Sequence, residues 1–194
     1  SGNPQSVEEW TAKDSDHRVI RGILIFSPDD YGLDSVKFEQ MVIEKKIEVF
    51  GEIGAYYNGT TLSDAIWQPY LRICEKYDIP VAVHTGGGDP GGTYSWSPKA
   101  RLKMGDPYLI EDVLVKYPKL SIYLMHNGGE EWHEHALRLM AYYPQLYTDV
   151  AVMLWVEPNT QRTVTEFLKN AKHAGYLNRV MFGSDQMVWP YAIE

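Results

Sequence analysis

The chain has 194 residues, 44% of them hydrophobic, with a formal net charge of −8. That length and apolar content can bury a sizeable core, and a single domain over residues 1–194 is expected. The acidic balance argues against a nucleic-acid binder or a ligand of anionic membranes, either of which needs a basic face. No apolar run approaches the roughly 20 residues that span a bilayer. Cys74 is the single cysteine, so no disulfide can form within the chain. Together with a polar N-terminus, Ser1 to Asp16, that lacks a signal-peptide apolar region, this fits a cytoplasmic setting.

Taken in chain order, Ser1-Gly2 has the look of a tag remnant, so the natural start is expected upstream. Short apolar runs then alternate with longer amphipathic ones. The strand candidates are 22–27, 49–55, 79–85, 120–126, 146–152 and 179–184. Most are nearly continuous in Val, Ile, Leu, Phe and Met, as in parallel strands buried on both faces. Pro80 falls at a strand start, where a missing N–H is tolerated. Helices are expected over 35–49, 63–77, 106–117, 130–143 and 160–175. The second is capped by Ser63 or Asp64 and has Pro69 disturbing its first turn. Pro118, Pro144 and Gly175 punctuate three helix ends. Asn58-Gly59-Thr60 matches a glycosylation sequon, but Asn-Gly reads better as a turn. The repeated βα pattern predicts a parallel α/β fold, either doubly wound or a (β/α)8 barrel. The segment 86–105, rich in Gly, Pro and Ser, is long enough to suggest a functional loop.

Three ionisable residues sit at or just after predicted strand ends. His84 closes Val81-Ala82-Val83-His84 and precedes Thr85-Gly86-Gly87-Gly88. His126 closes Ile122-Tyr123-Leu124-Met125-His126 and precedes Asn127-Gly128-Gly129. Asp185 follows Val180-Met181-Phe182-Gly183-Ser184. Parallel strands present their C-terminal ends on one face, where residues distant in sequence converge. A lone strand-end His is more often a hydrogen-bonded rim residue. Two with an Asp on one face form an N/O donor set suited to Zn, with Mn or Fe as alternatives. Glu52 stands inside the otherwise apolar run Phe50-Gly51-Glu52-Ile53. A buried carboxylate needs a cation or strong hydrogen bonds to stay charged, and a metal, or simply a neighbouring Arg or Lys, would supply that.

His133-Glu134-His135 is the competing metal motif. It falls in a helical stretch, where residues i and i+2 point apart, and it is not H-E-x-x-H. His17 and His173 read as surface residues. Tyr56, Trp96, Trp155 and Trp189 fall beyond strand ends or in the long loop, where they can wall a pocket for an apolar or aromatic substrate. Arg101, in the same loop, can hold a substrate carboxylate, although a surface role is equally open.

The ordered set Ile79-Pro80-Val81-Ala82-Val83-His84-Thr85-Gly86, Leu124-Met125-His126-Asn127-Gly128-Gly129 and Val180-Met181-Phe182-Gly183-Ser184-Asp185 resembles the amidohydrolase-related family. These are metal-dependent hydrolases of the TIM-barrel fold. The resemblance implies a distorted (β/α)8 barrel with His84 on the fifth strand, His126 on the sixth and Asp185 on the eighth. In such proteins that Asp typically binds metal and accepts the proton of the attacking water. Glu52 falls where the fourth strand can carry a metal-bridging residue. Its surroundings also look like TatD-type nucleases, whose later motifs differ.

The family's first strand bears His-x-His, and no such strand precedes Gly22. Counting back from Asp185 leaves about strands 3 to 8, an incomplete barrel lacking its first units and its last helix. A six-stranded piece has two open edges, so completion by association, including a homo-oligomer, is one expectation. The leading expectation is hydrolysis of an amide, ester or lactone bond in a small, aromatic or carboxylated molecule. Asp185 would accept the proton, and His126 would bind metal or stabilise the developing oxyanion. The alternatives are a metal-dependent decarboxylase of the same superfamily and a non-catalytic barrel fragment. Against the decarboxylase, His84-Thr85-Gly86-Gly87-Gly88-Asp89 lacks the Trp-Asp associated with those enzymes.

Overall fold

A computed structural model describes residues 1–154 and 158–185. In chain order it contains α1 (Pro4–Ala12), β1 (Gly22–Ile25), α2 (Ser35–Ile43), β2 (Val49–Ile53), α3 (Gln68–Tyr77) and β3 (Val81–His84). Then come α4 (Glu111–Lys116), β4 (Ile122–Met125), α5 (Gly129–Tyr142), β5 (Leu146–Asp149), α6 (Pro158–His173) and β6 (Val180–Met181). Every strand pairing is parallel, in the order β1-β2-β3-β4-β5-β6.

This order separates the two architectures that periodicity left open. A doubly wound sheet reverses its strand order at a switch point. Here strand order follows chain order, and right-handed crossovers then place the intervening helices on one side. The result is a six-stranded wall of a TIM-type barrel, not closed among the described residues. No helix of the described residues is long and apolar enough to cross a membrane.

Several elements differ from expectation for local reasons. The polar N-terminus forms a helix, because Asn3 accepts the Ser6 N–H at 2.9 Å and Pro4 starts the first turn. Just ahead of it, Gly2 bridges β1 in parallel, donating to the Gly22 carbonyl at 3.2 Å and accepting from Leu24 N–H at 2.9 Å. The α3 helix begins at Gln68 rather than Ser63, with Pro69 in its first turn, where no N–H is needed. Asp64 does not cap that helix; its carboxylate takes the Thr61 N–H at 2.8 Å. Residues 107–110 form a 3-10 turn held by Asp106, which accepts the Tyr108 N–H at 3.0 Å, so α4 starts only at Glu111. The α2 helix stops at Ile43, and Lys45 turns the chain with φ of 56°.

The core lies between sheet and helices. Phe50 of β2 sits 4.6 Å from the ring of Phe38 on α2 and stacks at 5.7 Å on Tyr70 of α3. Trp67 closes the same cluster, 6.3 Å from Phe50. Phe38, Phe50 and Trp67 are fully buried. This cluster fixes α2 and α3 behind the strand that carries Glu52. We predict that Phe50→Ala lowers unfolding free energy by roughly 3–5 kcal/mol, from lost transfer energy plus a cavity. Urea denaturation measures it; a loss below about 1 kcal/mol would show that the cluster collapses around the gap.

Candidate metal centre

The C-terminal ends of three neighbouring strands, β2, β3 and β4, converge. Glu52 lies near the end of β2, His84 ends β3, and His126 directly follows β4. The β3–β4 register pairs His84 with Met125, so His126 stands just beyond His84 on the adjoining strand. Two glycines allow this approach. Gly51 has φ of 146°, and a Cβ there would collide with the Ala82 carbonyl of β3. Gly86 has φ of 86°, and its Cβ would lie 2.7 Å from the Gly129 nitrogen.

Donor atoms of Glu52, His84 and His126 all lie within 4.8 Å of one another. Glu52 Oε1 is 3.1 Å from His84 Nδ1 and 3.7 Å from His126 Nε2. Both imidazoles are buried, with ring centroids 4.8 Å apart. Burial works against the charge on Glu52, but hydrogen bonding to His126 and His84 outweighs it and holds the carboxyl far below its usual range. Burial likewise dominates at His84 and depresses its pKa, so this ring favours the neutral form. At His126 burial is outweighed by Glu52, Asp149 and Asp185, and the pKa rises.

The donor set fits a divalent cation. Two imidazoles and a carboxylate suit Zn, Mn or Fe. His84 Nε2 is buried with no hydrogen-bond partner among the described residues, so the ring keeps one nitrogen that no described side chain claims. The expected sixth strand ran to Ser184, but β6 ends at Met181; Asp185, four residues further on, has φ of 57° and is not part of the compact triad. It is close enough that His126 acts on its carboxyl, although burial prevails and raises its pKa.

The other singled-out residues are placed unevenly. Tyr56 is buried, its ring 5.6 Å from that of His84. Trp96 is exposed and reaches the site only through Tyr57, whose ring is 4.8 Å from Trp96 and 4.7 Å from His84. Arg101 turns back on its own loop, donating to the carbonyls of Pro98 at 3.0 Å and Ala100 at 2.7 Å. Trp155 and Trp189 lie outside the described residues. His133 and His135 both lie on α5 and point to separate partners. His135 Nδ1 meets Asp106 at 2.8 Å under the stacked ring of Tyr108, whereas His133 Nδ1 lies 3.3 Å from the Glu130 carbonyl.

Two residues went unread in the sequence. Tyr57 follows Tyr56 in a 3-10 turn that the expected Asn58-Gly59 turn closes, with Gly59 at φ of 73°, and Glu52 and Asp89 both act on its hydroxyl. Burial chiefly raises the pKa of that hydroxyl. Asp149 ends β5, buried, and its Oδ1 accepts the His126 N–H at 2.8 Å. The expected strand ran on to Val152 and so hid Asp149 in mid-strand; the strand-end rule applied to Asp185 would have found it. Asp149 and Asp185 also line the inner trough of the sheet, about 570 Å³, with Tyr123, Met125 and Tyr147.

An inner face ending in imidazoles and carboxylates defines the class: a TIM-barrel protein with a metal-type site at its C-terminal rim. The chain belongs to the amidohydrolase family, whose model matches residues 35–194. No curated protein matches the sequence. Among solved structures, the chain is similar to an uncharacterised TIM-barrel protein of Bordetella bronchiseptica, with TM-score 0.73 and 17% identity. That match covers 98% of this chain and 63% of the other, so the chain spans less than two thirds of that protein. A dihydroxybenzoic acid decarboxylase of a Polaromonas species, holding manganese and the inhibitor 2-nitroresorcinol, matches with TM-score 0.60 and 16% identity. It is covered to 66%, and 98% of this chain is aligned. A probable 2-pyrone-4,6-dicarboxylic acid hydrolase of Acinetobacter baumannii, with citric acid bound, matches with TM-score 0.51 and 14% identity. That alignment covers 96% of this chain and 79% of the other.

The geometry predicts that the purified chain takes up a divalent cation through this cluster, with Zn²⁺ as the probe. His84→Ala is expected to lower the affinity at least tenfold in a chelator-competition titration. Acidification should weaken binding in the unsubstituted chain, because an imidazole must lose its proton to ligate. Equal affinity in His84→Ala and the parent would remove His84 from the site.

Proposed function

We propose that this chain carries the metal-binding half-site of a hydrolase acting on an amide, ester or lactone bond. The substrate is a small, aromatic or carboxylated molecule. The observation carrying this reading is the convergence of Glu52, His84 and His126 at neighbouring strand ends. Glu52, His84 and His126 would hold the divalent ion, with Zn favoured by the imidazole-rich set. When bound, the ion would supply Lewis-acid polarisation of the scissile carbonyl.

The remaining chemistry falls to the chain's own groups. Asp185 is the proton acceptor; its raised pKa makes it the better base while it stays a carboxylate. His126 Nε2 faces the cluster, where it can ligate or hydrogen-bond developing negative charge. Tyr56 and Tyr57 stand against His84, with Trp96 behind Tyr57, an aromatic wall that suits a flat substrate. The same wall favours a second reading, decarboxylation of an aromatic acid.

We expect Asp185→Asn to cut turnover by roughly 10²- to 10⁴-fold, the usual worth of a positioned acid–base group. A lactone, ester and amide panel assayed beside aromatic acids separates the readings: new carboxyl groups mark hydrolysis, carbon dioxide marks decarboxylation. Metal analysis accompanies both assays. A chain that binds no divalent metal, or an Asp185→Asn variant as active as the parent, sinks the proposal.

A further inference from the structure

A left-handed turn follows β4. His126, Asn127, Gly128 and Gly129 all have positive φ, at 64°, 55°, 78° and 67°. Only the two glycines adopt this region freely. Something must therefore hold His126 and Asn127 in place, and the hydrogen bonds of the neighbouring strands identify it.

On one side Thr85 Oγ1, just past β3, donates to the Met125 carbonyl at 2.6 Å and accepts the Gly128 N–H at 2.9 Å. On the other, Thr148 Oγ1 donates to the Leu124 carbonyl at 2.9 Å. Asp149 Oδ1 accepts two backbone N–H groups, that of His126 at 2.8 Å and that of Ala151 at 3.0 Å. The Ala151 carbonyl in turn lies 3.4 Å from His126 Nδ1. One carboxylate oxygen thus fixes the backbone of His126 and also the segment that meets its ring. The side of the ring facing Glu52 is Nε2.

We infer that Asp149 is a positioning residue that sets the orientation of the His126 ring. It acts through backbone hydrogen bonds rather than as a ligand. The inference rests on the metal-site reading for its functional meaning, but its structural core stands without it. Partners that orient a ligating imidazole typically change metal affinity about 10- to 100-fold when removed. Asn keeps a carbonyl oxygen able to accept both N–H groups, whereas Ala keeps none.

The test compares the parent chain, Asp149→Asn and Asp149→Ala, using Zn²⁺ titration against a chelator and amide hydrogen exchange by NMR. In the parent and in Asp149→Asn, the His126 amide should exchange slowly and resonate downfield. In Asp149→Ala it should lose both signatures, and the zinc affinity of the folded protein should fall at least tenfold. Asn should recover most of that loss. A general loss of stability would lower the folded fraction without this Asn rescue. If Asp149→Ala fails to fold, the parent spectrum still decides: a rapidly exchanging His126 amide overturns the inference. Equal zinc affinity in the parent and a folded Asp149→Ala also overturns it. If the parent binds no zinc, the metal-site proposal fails, while the amide measurement continues to judge the Asp149 contact.

Discussion

A parallel sheet whose strands follow chain order has no freedom over where its C-terminal ends go. All of them open on one rim, and each strand returns through a helix behind the sheet. Residues 32 and 42 positions apart in sequence, Glu52 to His84 and His84 to His126, are thereby brought to within 4.8 Å at their donor atoms. No loop has to search for this geometry. The aromatic cluster of Phe38, Phe50, Trp67 and Tyr70 locks β2 from behind and fixes the depth at which Glu52 meets its partners.

The rim gathers charge that the interior resists. Taking a carboxylate out of water costs several kcal/mol even after relaxation. Glu52 offsets this with two imidazoles rather than with an Arg or Lys. The consequence is an uneven pair of histidines, His84 kept neutral by burial and His126 drawn towards the charged form by the acids around it. With Glu52, Asp149 and Asp185 all acting on His126, acidic side chains outnumber the two imidazoles of the site. A divalent cation is the simplest species that would balance that surplus of acids.

Much of this was legible in the sequence, because strand-end position is a one-dimensional signal. Continuous apolar runs located the six strands of the described residues, and the residues at their ends named His84 and His126; the sixth run was expected to reach Ser184, whereas β6 ends at Met181 and Asp185 comes four residues later. Glu52 was legible as a charge inside an apolar run. Choosing a barrel over a doubly wound sheet was beyond periodicity, since strand order is a long-range property. The α1 helix was missed because its single buried apolar residue, Val7, leaves no periodic stripe to read. Asp149 was missed because strand ends blur by a few residues, and the expected strand ran three residues past the true end. The Asn58-Gly59 turn was legible, but the placing of Tyr57 against His84 and the turn of Arg101 onto its own loop depend on loop conformations that composition does not encode.

The left-handed turn at His126 shows why a fold that is generic elsewhere becomes particular here. Positive φ at non-glycine residues costs roughly 1 to 3 kcal/mol each, although Asn and His tolerate it better than most. Extended backbone after β4 would avoid that cost, but Cβ positions alternate across a strand, so the ring would no longer be set by the turn. The turn also brings Gly129 against Gly86, a contact that a side chain on Gly86 would block. Thr85, Thr148 and Asp149 together bind the backbone from Leu124 to Gly128. Strain in that segment and rigidity of the histidine are therefore one arrangement: the neighbouring strands supply hydrogen bonds that the turn needs, and the turn presents Nε2 to Glu52.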